Sequence, residues 1–398
     1  MASHTATDFT WLEWPFLNDA HRQLALELDA WCQRHLHDLQ EKDLYAACRE
    51  LVARLGQGGW LRYCVTSGEQ TELDSRSLCI IRETLARHGA LADFVFAMQG
   101  LGSGAISLAG SDAQKAAYLP AVAEGRKIAA FALSEPEAGS DVGALSCSAQ
   151  LLADAETYAL NGVKTWISNG GLADFYCVFA RTQADAGSRG ITAFIVDAKT
   201  PGLVIDEVID VMSPHPLATL RFDDCRVHKR QMLGELNQGF KLAMRTLDIF
   251  RCSVAAASIG FARRAMQEGL VHARQRKMFG QTLADFQLTQ AAFGDMATAI
   301  DQSALLTYRA AWVRDVQKRP STGETAMAKM AATESAQQVI DRALQMFGGK
   351  GVVHGHILER LYRDIRSLRI YEGATEVQKL IISRQLMSKD LAQAYEPL

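Results

Sequence analysis

The sequence predicts an α+β, mostly helical protein in three parts. These are an N-terminal helical domain over 1–126, a small β-barrel or sandwich over 127–233, and a C-terminal four-helix bundle over 234–398. Three observations predict this. Up to about residue 126, apolar residues recur every three to four positions. Short apolar runs separated by turn residues then take over, and long helical periodicity returns after Gly234. At 398 residues the chain is long for one core, so two or three domains are expected.

The first helix runs through His21–Leu28 into Trp31 and His35. A second covers Leu44 to Leu55 and stops at the cluster Gly56, Gly58 and Gly59. Ser75 to His88 and Asp112 to Glu124 have the same period. Lys127–Leu133 reads as a buried strand followed by a Pro/Gly/Ser turn. Tyr158–Leu160 and Val163–Ser168 flank Asn161-Gly162, which predicts a hairpin turn. Phe175–Ala180, Ile191–Val196, Leu203–Ile209 and Thr219–Phe222 are further strands. Phe240–Arg276, Leu283–Lys318 and Thr325–Phe347 have the lengths of bundle helices.

Composition excludes several classes. Hydrophobic residues at 48% and charged ones at 22% belong to a globular chain rather than a disordered one. With a formal charge of −3 and no basic stripe, a nucleic-acid binder is not expected. Eight cysteines stand singly, without a C-x-x-C pair or zinc spacing. No metal site is expected, and the thiols suit a reducing compartment. Met1–Trp14 carries no leader pattern, and no apolar run approaches about 18 residues. A soluble cytoplasmic protein without a membrane span is the resulting expectation.

Two glycine-rich segments are decoys. Gly100-Leu101-Gly102-Ser103-Gly104-Ala105 has dinucleotide-fingerprint spacing but follows a helical stretch rather than a strand. Gly348-Gly349-Lys350-Gly351 lacks P-loop spacing and reads as a helix stop.

Three other segments match one family together. They are Leu133-Ser134-Glu135-Pro136-Glu137-Ala138-Gly139-Ser140-Asp141, then Asn161–Gly170 with its Lys164-Thr165-Trp166-Ile167-Ser168 core, then Leu361-Tyr362-Arg363-Asp364 through Arg369-Ile370-Tyr371-Glu372-Gly373 to Gln378. With Arg276-Lys277-Met278-Phe279-Gly280, they resemble the signature segments of acyl-CoA dehydrogenases, over about residues 18 to 388. The resemblance implies FAD as cofactor and dehydrogenation of an acyl-CoA thioester to the trans-2-enoyl-CoA. Glu372 would abstract the α-proton while flavin N5 takes the β-hydride.

The same resemblance distributes the contacts. Leu133 and Ser134 would meet the flavin ring edge, Ser140 the pyrophosphate, Trp166 the ring face and Ser168 the region of N5. Strand alternation places 166 and 168 on one face. Arg276 and Phe279, three apart and sharing a helix face, would reach the FAD of a neighbouring subunit. Gln287, Gln345 and Gly349 would add cross-subunit contacts. Asp248, Arg251, Tyr371 and Gly373 would line the substrate. An electron-transferring flavoprotein as acceptor and a homotetramer, a dimer of dimers, follow from the same likeness.

The residues alone leave plainer readings open. Trp166 is also what a core ring in a hairpin looks like, Arg276 a solvated helix arginine, and Glu372 a surface carboxylate before a turn. The chemistry singles out Glu372, because a weakly acidic α-proton needs a desolvated carboxylate-like base held at the α-carbon. Each donor to the developing enolate oxygen is worth about 3 kcal/mol. The position where some relatives carry the base is Phe250 here, so no rival carboxylate occupies it.

The chain departs from the family pattern at Leu61–Gly68, at Met212–Leu217 and at Ala374, where relatives have Thr. The Gly-rich stretch Gln99–Gly104 suggests extra room, hence a bulky, branched or cyclic acyl group. Alternatives on the same fold are a flavin oxidase or monooxygenase and a dehydrogenase of acyl-carrier-protein thioesters. An inactive acyl-CoA-binding scaffold is the alternative from another class.

Overall fold

The computed structural model describes residues 8–36, 43–68 and 70–388, so the first half of the Met1–Trp14 reading lies outside the described residues. The chain divides into two compact units.

The first unit is helical and is drawn from residues 1–37, 75–93 and 251–398. Its helices are α1 (Asp19–His35), whose N-terminus carries a capping box between Asn18 and His21, and α3 (Ser75–His88). The later part of α6 (Gly239–Gln275), α7 (Gln287–Asp315), α8 (Thr322–Phe347), α9 (Ile357–Leu368) and α10 (Thr375–Met387) complete it. Glu83 of α3 ties three elements together. It accepts from Tyr308 Oη at 2.8 Å and from Arg263 Nε at 2.8 Å, while the Trp11 ring stacks on Tyr308 at 5.1 Å. Gly260 is required where α6 crosses α3, since a Cβ there would lie 2.2 Å from the Glu83 carbonyl oxygen.

The second unit spans residues 38–74 and 94–250. It contains α2 (Leu44–Gln57), most of α4 (Ala90–Ala109), α5 (Asp112–Ala123) and the start of α6. Its sheet is built from β1 (Ala129–Ala132), β2 (Ser148–Leu151), β3 (Thr157–Ser168), β4 (Phe175–Arg181), β5 (Ile191–Asp197), β6 (Leu203–Val208), β7 (Leu217–His228) and β8 (Met232–Leu233). They form one mixed sheet in the order β6-β7-β3-β2-β4-β5-β8, with β1 parallel to β4. Gln99 of α4 fixes the start of β1, donating to Lys127 O and accepting from Ala129 N, both at 2.8 Å.

Several expectations need correction. Asn161-Gly162 is not a hairpin turn. Strand β3 runs straight through it, with a register irregularity against β7 between Leu160 and Gly162. A Cβ on Gly162, which has φ +141°, would lie 2.7 Å from Cys147 Cα, so the close approach of Cys147, just before β2, explains the glycine. Ser148–Leu151 forms a strand, β2, that the sequence pattern does not signal, and β7 extends to His228 rather than ending at Phe222. Helix α4 does reach spanning length, with mean hydropathy 1.3 over an 18-residue window. However, 78% of that window is buried inside the protein, as in a core helix.

The expected extra room at Gln99–Gly104 is absent. A Cβ on Gly100 would meet Phe250 Cε1 at 2.5 Å, and one on Gly104 would meet Thr246 Cγ2 at 2.9 Å. The missing side chains are replaced by the buried Phe250 ring, so the argument for a bulky acyl group loses its basis. Leu61–Gly68 forms a short 3-10 turn (Trp60–Cys64) tied to α4 by a Thr66 N–H to Ser107 Oγ bond of 3.3 Å. In the Met212–Leu217 segment, His215 packs against Phe94 at 4.6 Å and its Nδ1 lies 2.8 Å from Ser213 O.

Candidate active site

The loop between α9 and α10 carries Glu372. Glu334 of α8 braces both of its ends, accepting from Arg369 Nε at 2.9 Å and from Thr375 Oγ1 at 2.6 Å. The hydroxyl beside Ala374 is thus already committed to structure. Within the loop Glu372 adopts φ +53° and Gly373 φ +94°. Left-handed backbone is ordinary for glycine but costs a glutamate roughly 1–3 kcal/mol, so the surroundings must enforce it.

Three side chains do so. Arg251 Nε donates to Glu372 O at 2.9 Å, while Lys329 Nζ and Gln378 Nε2 donate to Gly373 O at 2.8 and 2.9 Å. Any side chain at Gly373 would be strained by φ +94°, and its Cβ would also displace the Gln378 Nε2 donor, 2.4 Å away. The Glu372 carboxylate itself is different. Its Oε2 is out of reach of solvent and accepts no hydrogen bond. Burial raises its pKa above the ordinary carboxylate range, against the opposing pull of Arg82, Arg251 and Lys329, with Asp93 adding to the rise. Arg82, buried, is itself held by Asp93 through two 2.8 Å bonds and donates to Ser253 Oγ at 3.1 Å. Tyr371 is half-buried beside this cluster, and burial pushes its hydroxyl pKa well up.

Elsewhere in the same unit, Arg276 does not share a helix face with Phe279. Helix α6 stops at Gln275, and a two-stranded hairpin follows, β9 (Lys277–Met278) against β10 (Gln281–Thr282). Phe279 (φ +48°) and Gly280 (φ +82°) form its tip, the left-handed pair that a tight hairpin turn demands. The Phe279 ring is 88% exposed. Arg276, Gln287, Gln345 and Gly349 are exposed as well.

In the second unit the end of β1 is anchored from below. Lys164 of β3, wholly buried, donates to Leu133 O at 3.0 Å and to Glu135 Oε1 at 2.7 Å. Glu135 also accepts from the Ser146 and Cys147 N–H groups at 2.6 and 2.9 Å. The Thr165 N–H reaches Ser134 O at 3.0 Å, so Leu133-Ser134 is pinned alongside Trp166. A bulge against β7 between Lys164 and Ile167 interrupts the simple alternation expected there. Trp166 takes φ +59° and is 58% exposed, with Ile167 buried and Ser168 half-buried. Trp166 and Ser168 therefore remain on the accessible side, through a bulge rather than alternation alone. Ser140 is exposed and Asp248 half-buried.

Sequence reasoning gave no role to Lys329, Gln378, Arg82, Asp93, Glu135 or Lys164. A signal existed for some of them. Lys329 stands alone in the run Ala326-Met327-Ala328-Lys329-Met330-Ala331-Ala332, and Arg82-Glu83 interrupts Leu78-Cys79-Ile80-Ile81. A charge inside an apolar run must find a partner.

The first unit thus carries a desolvated carboxylate and the exposed Phe279 ring, and the second carries the exposed Trp166 ring. The comparisons give the family: the chain matches the acyl-CoA dehydrogenase N-terminal domain over residues 18–126, the middle domain over 130–225 and the C-terminal domain over 237–387. It belongs to the acyl-CoA dehydrogenases, whose members depend on FAD. It is 35% identical to the mitochondrial short-chain specific acyl-CoA dehydrogenase of Rattus norvegicus, over 94% of each chain. It is 40% identical to the caffeyl-CoA reductase-Etf complex subunit CarC of Acetobacterium woodii, over 79% of this chain and 83% of that one. Among solved structures, butyryl-CoA dehydrogenase from Megasphaera elsdenii superposes with a TM-score of 0.86 at 32% identity, covering 93% of this chain and 99% of that one.

Proposed function

We propose that the chain dehydrogenates an acyl-CoA thioester across Cα–Cβ, giving the trans-2-enoyl-CoA, with Glu372 as the base. The observation that carries this reading is the carboxylate oxygen Oε2, buried without a partner on a left-handed residue. Both features cost free energy, and such costs persist where a group has chemistry to perform. Raised basicity suits proton abstraction, since the proton taken from the α-carbon ends on a group whose neutral form the surroundings favour. The neighbouring cations keep enough of it ionised to begin. Arg251, Tyr371, Gly373 and Asp248 are assigned to the thioester and its arm.

FAD would supply the acceptor for the β-hydride. Two exposed rings fit its presence. Trp166 and Phe279 are large apolar groups held in water by left-handed backbone, an arrangement that gains stability once a flat ligand covers them. Leu133, Ser134, Ser140, Trp166 and Ser168 would hold the ring and pyrophosphate. Arg276, Phe279, Gln287, Gln345 and Gly349 would contribute from a second copy of the chain within a homotetramer. The Etf complex in the name of the Acetobacterium relative supports an electron-transferring flavoprotein as acceptor. The eight buried free thiols fit a cytoplasmic location. The division at 1–126, 127–233 and 234–398 remains part of this reading.

The test is anaerobic titration with a panel of straight-chain, branched and aryl acyl-CoAs while following flavin bleaching. At least one should bleach the wild-type flavin. Glu372→Gln should retain FAD and lose the bleaching, and full bleaching by that variant would remove Glu372 from the mechanism.

A further inference from the structure

The Glu372 loop is held from α8 by a group that neither motif nor spacing assigns. Lys329 is wholly buried, yet its ammonium is aimed at a backbone carbonyl rather than paired tightly with a carboxylate. It reaches Gly373 O at 2.8 Å, and Gln378 Nε2 shares that oxygen at 2.9 Å. Arg251 holds the preceding carbonyl from α6 at 2.9 Å. The two peptides that flank Gly373 are therefore both gripped at their carbonyls, one from α6 and the next from α8 and α10. Burying a lysine to satisfy one carbonyl is expensive, since Gln378 alone supplies a donor to that oxygen. The extra feature Lys329 brings is its positive charge.

That charge sits on the carbonyl of the residue next to Glu372, 2.8 Å from Gly373 O, and pulls against the rise that burial causes in the carboxyl. The groups facing Glu372 are Arg82 from α3, Asp93 from α4, Arg251 from α6, Lys329 from α8 and Tyr371 in its own loop. Arg82 exerts the largest of the opposing pulls, from within a two-pronged pair with Asp93, whose own charge works the other way. Lys329 faces Glu334 and Glu376 as well as Glu372 and Arg251. Burial lowers its pKa to about 8, so it carries its charge at neutral pH.

We propose that Lys329 is a positioning residue for the base: it clamps the Gly373 carbonyl to fix the left-handed Glu372 turn, and its charge keeps the Glu372 carboxylate ionised against burial. This rests on Glu372 being the base. Two substitutions separate the roles. Lys329→Gln keeps a donor but removes the charge, and Lys329→Met removes both.

The test uses FAD-loaded enzyme, single-turnover flavin bleaching by a reactive acyl-CoA across pH, and isotope-edited infrared detection of the Glu372 carboxyl, identified by its loss in Glu372→Gln. Lys329→Gln should slow bleaching by about tenfold at the acid end and leave the alkaline plateau near wild type, with the protonated carboxyl persisting to higher pH. Lys329→Met should lower the plateau as well, with thioester binding little changed. Should Lys329→Met fail to fold, the Gln variant still decides the electrostatic role. An unchanged pH profile and unchanged carboxyl signal in Lys329→Gln would overturn the proposal. Bleaching that survives Glu372→Gln would instead overturn the base assignment, so the two failures are distinguishable.

Discussion

Replacing Lys164 by Met should loosen the end of β1 in the second unit and cost about 3–5 kcal/mol of stability. The magnitude follows from what the side chain does. Its ammonium is 0% exposed and bonds both Leu133 O and Glu135 Oε1. Methionine fills much of the volume, so packing loss is small. What remains is a Glu135 carboxylate, 3% exposed, with its counter-charge gone. The N–H groups of Ser146 and Cys147 still serve it, which places the expected cost near 3 kcal/mol, at the lower end of that range. Glu135→Gln combined with Lys164→Met should cost less than the two single changes added, by about 1–3 kcal/mol. Denaturant unfolding of the FAD-loaded proteins measures the cycle, and flavin retained after gel filtration tests the proposed contact of Leu133 and Ser134 with the cofactor. Burial alone would raise the Glu135 pKa, but Lys164 and the N–H donors outweigh it and hold the carboxyl below its ordinary range. Its stabilisation is accordingly present above that range and lost as pH falls through the lowered value. A single substitution within about 0.5 kcal/mol of wild type, or strict additivity, would refute the reasoning.

Two further outcomes are expected. Gly100→Ala should destabilise by about 1–3 kcal/mol, because its Cβ would sit 2.5 Å from the Phe250 ring, and Phe250→Leu should relieve part of that cost; thermal unfolding of the single and double variants checks it. Glu372→Gln should be more stable than wild type at pH 8 and lose that advantage toward pH 4. A carboxyl with a raised folded pKa contributes stability below its ordinary range and loses it as pH rises through the folded value. A Gln variant less stable at pH 8 would contradict this.

The fold was legible because most elements bury one face. Ser75–His88 came out at its foreseen bounds, and the long bundle helices were placed to within a few residues. Where the reading failed, a local signal was overridden by close packing. Asn161-Gly162 looks like a turn by composition, but the glycine serves the approach of Cys147. The glycines near residue 100 looked like a cavity and instead receive Phe250. Arg276-Phe279 looked helical until Phe279-Gly280 turned the chain. Glu372 was visible because its motif is local in sequence. Arg251 and Lys329, which hold its loop, and Arg82 and Asp93, which act on its charge, lie on four separate helices, and no spacing rule joins residues that far apart.

The central claim is that Glu372 moves the α-proton, and exchange of that proton with solvent measures this without requiring the oxidation to proceed. In heavy water, FAD-loaded wild-type enzyme should introduce deuterium at the α-carbon of an acyl-CoA that lacks hydrogen on its β-carbon. The exchange should rise with pH as the carboxylate ionises. Glu372→Gln with its flavin spectrum intact should show exchange no faster than free thioester, and wild-type exchange rates in that variant would contradict the account.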